Sequence, residues 1–197
     1  LHPGQRPQYC YYIRSGRVFA GVTDQGQSER ILFFIKKDSL FLEDYLLTGG
    51  RSPMFYVTDT DVVVQKITYP ELIQSMKNNF TVTLDVIQAM ASFGETALNR
   101  VIDNVDQMAA IRICNLFFDM AELFGEPAKE GICLNVKIRQ EIIGKLTGLH
   151  RVTVVKELNK LKNHGLLTME DGCYCITDMD RLTRYRDDVG LKNEEGM

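Results

Sequence analysis

Five short runs rich in β-branched and aromatic residues open the chain, at Tyr9 to Ile13, Arg17 to Val22, Arg30 to Ile35, Met54 to Val57 and Val62 to Ile67. Runs of this length and composition, broken by turn residues, predict strands. The breaks at Ser15-Gly16, Asp24-Gln25-Gly26 and Thr48-Gly49-Gly50 supply the positive φ angles and side-chain turn bonds that tight reversals need. An antiparallel barrel or roll is expected. Thr68-Tyr69-Pro70-Glu71 then sets a hydroxyl three residues before an acid, a capping box that starts a helix running toward Asn78. From about Thr81 to Val105, apolar residues at Leu84, Ile87, Met90/Ala91, Leu98, Val101 and Val105 recur mostly at three- and four-residue steps. They draw one apolar stripe along a second, longer helix. Such a stripe either packs on its own domain or forms a seam with the same helix of a second subunit. A helix of about 25 residues reaches roughly 37 Å, more than a small barrel needs, which favours the seam. A third helix is predicted from Met108 to Phe124, ended by Gly125 and Pro127.

The pattern then shortens. Gln140 to Leu146 reads as a helix with Ile143 and Leu146 inward, Thr147-Gly148-Leu149 breaks it, and a second helix from about His150 to Asn163 buries Val154, Leu158 and Leu161. Two short helices joined through a glycine turn pack at a steep angle and leave the second projecting, the shape a DNA major groove accepts. Opposite the buried residues lie Arg151, Val152, Val155 and Lys156, with His150 and Thr153 near the start of the helix. Leu166 to Met169 and Tyr174 to Thr177, joined by Glu170-Asp171-Gly172, alternate as a β-hairpin that would form a wing.

Composition alters this picture little. The chain has 197 residues, 45% apolar and 25% charged, enough for one large or two small cores. No apolar run approaches the roughly 20 residues of a membrane span, and no signal peptide is visible, so a cytoplasmic protein is expected. Charge matters more. Lys137 to His164 carries seven Lys/Arg against Glu141 and Glu157, a net +5 inside a chain of net −3. Because DNA releases condensed counterions to a local cluster of cations, an acidic protein can still bind it. The cysteines, Cys10, Cys114, Cys133, Cys173 and Cys175, are odd in number and scattered, which fits reduced thiols better than a disulfide framework. Cys173 and Cys175 read as small packing residues on one face of a wing strand. No metal site or cofactor is evident. An enzyme is not expected: His2, His150 and His164 are far apart in sequence, with neither a phosphate-loop glycine pattern nor a serine elbow.

RQEIIGKLTGLHRVTVVKEL at 139–158, followed by LKNHGLL at 161–167, resembles the DNA-binding domain of the cyclic-AMP receptor and fumarate-nitrate regulator (CRP/FNR) family. YYIRSGRV at 11–18 is similar to that family's β-roll signature, and the likeness runs through nearly the whole chain in the right order. It implies an α+β fold: an N-terminal antiparallel β-roll (a cupin-like jelly roll) over 1–79, a dimerisation helix over 80–106, and a C-terminal winged helix-turn-helix over 107–197. It also places His2-Pro3-Gly4 well inside the sensor domain, so that an opening strand and helix would precede Leu1. A DNA-binding transcription regulator is implied, homodimeric on a palindromic operator with half-sites about one helical turn apart, in contact with RNA polymerase. By position, Arg151 matches the family's guanine reader, Lys156 a second basic reader, and Thr153 and Gln140 phosphate contacts. Val152 replaces a frequent acidic base reader, which suggests an altered half-site with a thymine methyl against it. His150 stands where a small hydroxyl residue is usual, and reads equally as a helix cap or a base-side contact.

For the effector, the cyclic-nucleotide members hold ribose and phosphate with a Gly-Glu and a later Arg-Ser/Thr-Ala. This chain has Leu42-Glu43 and Arg51-Ser52-Pro53, with two substitutions and a shorter interval. DSLFLEDYLLTG at 38–49 is more similar to regulators of reductive dehalogenation that sense chlorinated phenols, where a tyrosine corresponding to Tyr45 lines the pocket, although the region around Phe93 lacks that subgroup's lysine. An aromatic or other organic acid between roll and long helix is therefore the expectation, with Glu43, Tyr45, Arg51 and Ser52 as candidate contacts. Cyclic AMP, a haem or iron–sulfur sensor, and an effector-independent activator remain as alternatives, as do Tyr45 as core filler and Arg51 as a loop charge. A different class is a cyclic-nucleotide-type module whose C-terminal helices only contact proteins; salt-sensitive binding to promoter DNA separates it from a DNA binder.

Overall fold

The computed structural model describes residues 1–23, 29–103 and 108–194, so the Asp24-Gln25-Gly26 turn and Val105 lie outside the described residues. The chain forms two compact units, 1–102 and 103–197, each considered by itself.

In the first unit each β-rich run becomes a strand within a residue or two of its expected bounds. β1 (Cys10–Ser15), β2 (Val18–Thr23), β3 (Glu29–Ile35) and the short β4 (Leu40–Phe41) are followed by helix α1 (Glu43–Thr48), then β5 (Phe55–Thr58) and β6 (Val63–Ile67). They pair into two antiparallel three-stranded sheets, β4-β1-β6 and β3-β2-β5. The reversal from β1 to β2 needs Gly16: its φ is +84°, and a Cβ there would sit 2.1 Å from the Asp61 carbonyl oxygen. α1 was not expected from the pattern; its six residues are too few to show helical periodicity.

The capping box forms as read. The Thr68 hydroxyl accepts the Glu71 N–H while the Glu71 carboxylate accepts the Thr68 N–H at 2.7 Å, opening α2 (Tyr69–Asn78). α3 (Phe80–Asp103) uses one side to cover the roll. Val86 joins Cys10, Leu46 and Leu72 in one core cluster, and Phe93 stacks on Phe33 at a centroid distance of 4.4 Å. Its other side leaves Phe80, Leu84, Ile87, Leu98 and Val101 exposed.

The second unit starts with α4 (Ala109–Phe124), which buries Ile113, Leu116, Phe117 and Met120 at helical spacing. β7 (Gly125–Pro127) and β8 (Ile132–Leu134) follow, then α5 (Gln140–Thr147), α6 (Arg151–Asn163), β9 (Leu167–Glu170), β10 (Cys173–Ile176) and α7 (Met179–Glu194). The wing hairpin belongs to a four-stranded antiparallel sheet, β7-β8-β10-β9. Its turn has Asp171 at φ 51° and Gly172 at φ 84°, two consecutive positive values as a two-residue hairpin turn of matching twist requires. β7 and β8 escaped the sequence reading because three-residue strands carry no measurable alternation, and α7 because it is largely polar; among its described residues only Leu182 is fully buried.

Two of the cysteines depart from the expectation of reduced, packing thiols. Cys133 and Cys175 face each other across β8 and β10 and are joined as a disulfide, so these two thiols are not reduced and Cys175 is not merely a packing residue. The sequence could not pair them: they lie 42 residues apart, on strands brought together only by the sheet. Cys10, Cys114 and Cys173 are free thiols, the first two buried. Among the described residues no helix is long and apolar enough to cross a membrane.

Candidate nucleic-acid interface

The α5–α6 pair is built around one glycine turn. α5 buries Ile143, Leu146 and Thr147, and Gly148 closes it in the left-handed conformation (φ 68°, ψ 22°), where a side chain is strained. The turn is tight enough that a Cβ on Gly144 would lie 2.9 Å from the Leu149 carbonyl oxygen. Chain direction is thereby reset within three residues. His150 then caps α6 with its backbone alone: its carbonyl accepts the Val154 N–H at 3.0 Å, while its exposed ring makes no cap bond. Val154, Leu158 and Leu161 are at most 1% exposed, which fixes the rotation of α6 against α4.

That rotation decides what the helix offers to solvent. Arg151, Val152 and Lys156 are exposed, Thr153, Val155 and Gln140 half-buried. Val152 is 81% exposed, an apolar β-branched side chain standing in water on the leading turn, where burial against another apolar group would be favourable. Among the described residues neither Arg151 nor Lys156 is held in an ion pair. Three other cations of the basic segment are engaged. Lys145 pairs with Glu141 at 3.5 Å, and Lys160 bonds Glu157 at 2.8 Å, a contact that raises the Lys160 pKa. Lys162 reaches over the Tyr174 ring, tying α6 to the wing. No acid stands in the first turn of α6, so its positive helix end is left uncompensated beside Arg151. A cationic helix start with two unengaged basic side chains suits a phosphate-rich partner.

The sensor candidates are only partly brought together. Glu43 is buried, with Oε2 lacking a hydrogen-bond partner, and burial pushes its carboxyl from an ordinary 4.5 up to about 7. Ser52, fully buried, hydrogen-bonds Tyr45 and Tyr56, whose phenols are raised by burial. Tyr45 and Tyr56 pack against the cluster of Ala20, Phe33 and Met54, as does Ala97 of α3. Arg51 instead lies exposed and donates to the Gly4 carbonyl at 3.0 Å. Tyr56 was missed in the sequence, since an aromatic in a strand gives no sign of pointing toward a polar cluster. Leu42, where nucleotide binders have glycine, keeps a glycine-like φ of 68° while its side chain is buried.

The raised carboxyl has a consequence for stability. Between pH 4.5 and 7 folded Glu43 keeps a proton that the unfolded chain has released, so stability falls as pH rises through that window, by up to about 1.4 kcal/mol per pH unit. Glu43→Gln cannot ionise. Its stability relative to wild type is expected to be higher at pH 8 than at pH 5, measured by urea unfolding; parallel profiles would mean that Glu43 is solvated.

A sensor roll bearing a long, half-covered helix, and a winged helix-turn-helix with a cationic recognition helix, define an effector-controlled DNA-binding protein. Two family models match: a cyclic nucleotide-binding domain over residues 1–79 and a Crp-like helix-turn-helix domain over 111–185. The chain belongs to the CRP/FNR family of transcription regulators. Its relatives include the global nitrogen regulator of Synechocystis sp., 23% identical over 169 residues, spanning 85% of this chain and 75% of that protein. Among solved structures, a mutant of CooA from Carboxydothermus hydrogenoformans superposes with a TM-score of 0.81 at 18% identity, covering 94% of this chain and 82% of that one. CprK (C200S) complexed with OCPA superposes at 0.73 with 18% identity, covering 94% and 84%. Those structural likenesses establish the fold.

Proposed function

We propose that this chain acts in the cytoplasm as a homodimer that sets two α6 helices into successive major grooves of a palindromic operator and recruits or blocks RNA polymerase there. The observation that carries this is the exposure of Arg151, Val152 and Lys156 on the side of α6 opposite Val154, Leu158 and Leu161. Arg151 reads guanine, Lys156 a second position, Val152 a thymine methyl; Gln140 and Thr153 hold phosphate, with His150 and Val155 at the margin of the contact. The dimer seam is the exposed stripe of α3, within a dimerisation segment spanning 80–106 between the roll (1–79) and the DNA-binding domain (107–197).

The effector we favour is a small aromatic or organic acid held between the roll and α3, with Glu43, Tyr45 and Ser52 as its contacts, joined by Tyr56. Glu43 offers a buried carboxyl with one oxygen unmatched, and Tyr45, Ser52 and Tyr56 a hydroxyl cluster beside apolar surface. Arg51 contributes if its guanidinium leaves Gly4. The resemblance of residues 38–49 to regulators that sense chlorinated phenols makes a chlorinated phenolic acid the first compound to try, beside the OCPA with which CprK is complexed. A cyclic nucleotide is the second, on the strength of the matched domain type. Binding there would shift how the two α3 helices cross, and with it the spacing of the two recognition helices.

The test is selection of bound DNA from a random pool with the full chain, with and without these compounds, followed by Arg151→Ala on the selected operator. The substitution is expected to weaken specific binding by about 1–3 kcal/mol and to flatten base preference at one position per half-site. Equal losses on every sequence would reduce Arg151 to a phosphate contact.

A further inference from the structure

One face of the wing sheet, with Glu170 exposed, Cys133 and Cys173 half-buried and Cys175 buried, gathers chemistry that the DNA-binding role does not use. Directly opposed residues of antiparallel strands point to the same face, as do residues two apart on one strand. Cys133 stands opposite Glu126 on β7 and opposite Cys175 on β10, Cys175 stands opposite Thr168 on β9, and Cys173 stands opposite Glu170. Three of the five cysteines and two carboxylates therefore share one face. The other face is apolar, with Tyr174 packed edge-on to Phe117 and Ile176 buried. The sulfurs of Cys133 and Cys175 and a carboxylate oxygen of Glu170 all lie within 4.8 Å of one another, and Cys133 Sγ is 3.9 Å from Glu170 Oε2.

We propose that, with its thiols reduced, this face binds one thiophilic divalent ion of the zinc or cadmium class through Cys133, Cys175 and Glu170, with Cys173 as the adjoining thiol. Two thiolates and a carboxylate are a zinc-type donor set, and tetrahedral coordination with metal–sulfur bonds of about 2.3 Å sets the two sulfurs ~3.8 Å apart. Cross-strand neighbours in an antiparallel sheet have Cα atoms at about 4.5–5.5 Å, so two opposed cysteines reach that separation by small side-chain and strand adjustments from their Cα distance of 3.9 Å in the disulfide. Glu170, next to the turn and exposed, adds negative charge where the ion's positive charge falls, and leaves a position open to solvent. Cys10 and Cys114 do not compete: both are buried and burial holds their thiols protonated, at about 11 and about 12.

The chemistry balances without a change of oxidation state at the metal. A thiol reductant first supplies two electrons and two protons to the Cys133–Cys175 disulfide, giving two thiols and leaving the reductant as its own disulfide. Metal binding then breaks two S–H bonds, forms two S–metal bonds and releases two protons to solvent. Disulfide and metal site are alternative states of the same sulfurs. The loaded state would tie β8, β10 and the wing turn to one ion. This inference does not rest on the proposed DNA contacts.

The test uses the full chain, reduced and handled without oxygen, titrated with cadmium ion while thiolate-to-metal charge-transfer absorbance is read, then with zinc in competition. Saturation at one equivalent per chain is expected, lost in Cys133→Ser and in Cys175→Ser and retained in Cys10→Ser and Cys114→Ser. Glu170→Gln should weaken affinity by at least the about 10-fold that losing even an outer partner of a metal ligand costs. Should either serine variant misfold, alkylation of the wild type decides: zinc must shield Cys133 and Cys175 from labelling. Absence of saturable uptake, uptake surviving both serine variants, or a disulfide that re-forms equally fast with zinc present would overturn the proposal and leave the pair to redox chemistry alone.

Discussion

The double substitution Ile87→Glu with Leu98→Glu is expected to yield a monomer in analytical ultracentrifugation and to weaken operator binding by about 10²–10⁴-fold, the range over which linking two binding modules exceeds either alone. Both residues belong to α3 and are more than half exposed, Ile87 at 54% and Leu98 at 60%, so the change removes little packing from within the first unit. Eleven residues apart, they return to nearly the same helix azimuth, three turns along. Four carboxylates facing one another across a twofold seam would be repelled and desolvated together. A variant that remains dimeric at micromolar concentration would move the seam elsewhere. One that becomes monomeric but binds the operator as tightly as wild type would remove the need for two recognition helices.

Leu158→Ala is expected to destabilise the second unit by about 2–5 kcal/mol, the usual cost of emptying a buried leucine site. Leu158 is 1% exposed and sits between Val154 and Leu161 on the side of α6 that faces α4. The loss combines transfer of the removed methyl groups with the cavity left behind. Lys156, two residues earlier and exposed, gives the opposite result: Lys156→Ala should leave stability within about 0.5 kcal/mol of wild type while lowering DNA affinity and its salt dependence. Urea unfolding followed by far-ultraviolet circular dichroism, beside a salt series of binding measurements, separates the two. If Leu158→Ala unfolds no earlier than wild type, α6 is not anchored as described, and the presentation of Arg151 loses its basis.

How far the sequence reached depends on the range of the interaction that carries each feature. The long helix, the capping box at Thr68 and Glu71, the glycine stop at Gly148 and the inward triad Val154, Leu158 and Leu161 all rest on residues within a turn or two of one another, where spacing alone fixes which side chains share a face. The recognition helix was legible for the same reason: once the triad is inward, Arg151, Val152 and Lys156 have nowhere to go but outward. Five first-unit strands were legible because four to seven residues suffice to show β-rich character between turns, whereas the two-residue β4 was not.

Tertiary structure decided what depends on neighbours distant in sequence. Arg51 reads like Ser52 as a site residue, yet one points to Gly4 at the surface and the other is buried among tyrosines. Tyr56 gave no sign of joining Glu43 and Tyr45, since that requires β5 to arrive beside α1. Most plainly, Cys133 and Cys175 are single cysteines until β8 pairs with β10, and only then do three cysteines and Glu170 share one face of a sheet. Periodicity states which face a residue takes within its own element. Which elements lie side by side follows from burying apolar area over the whole chain, and no local window contains that sum.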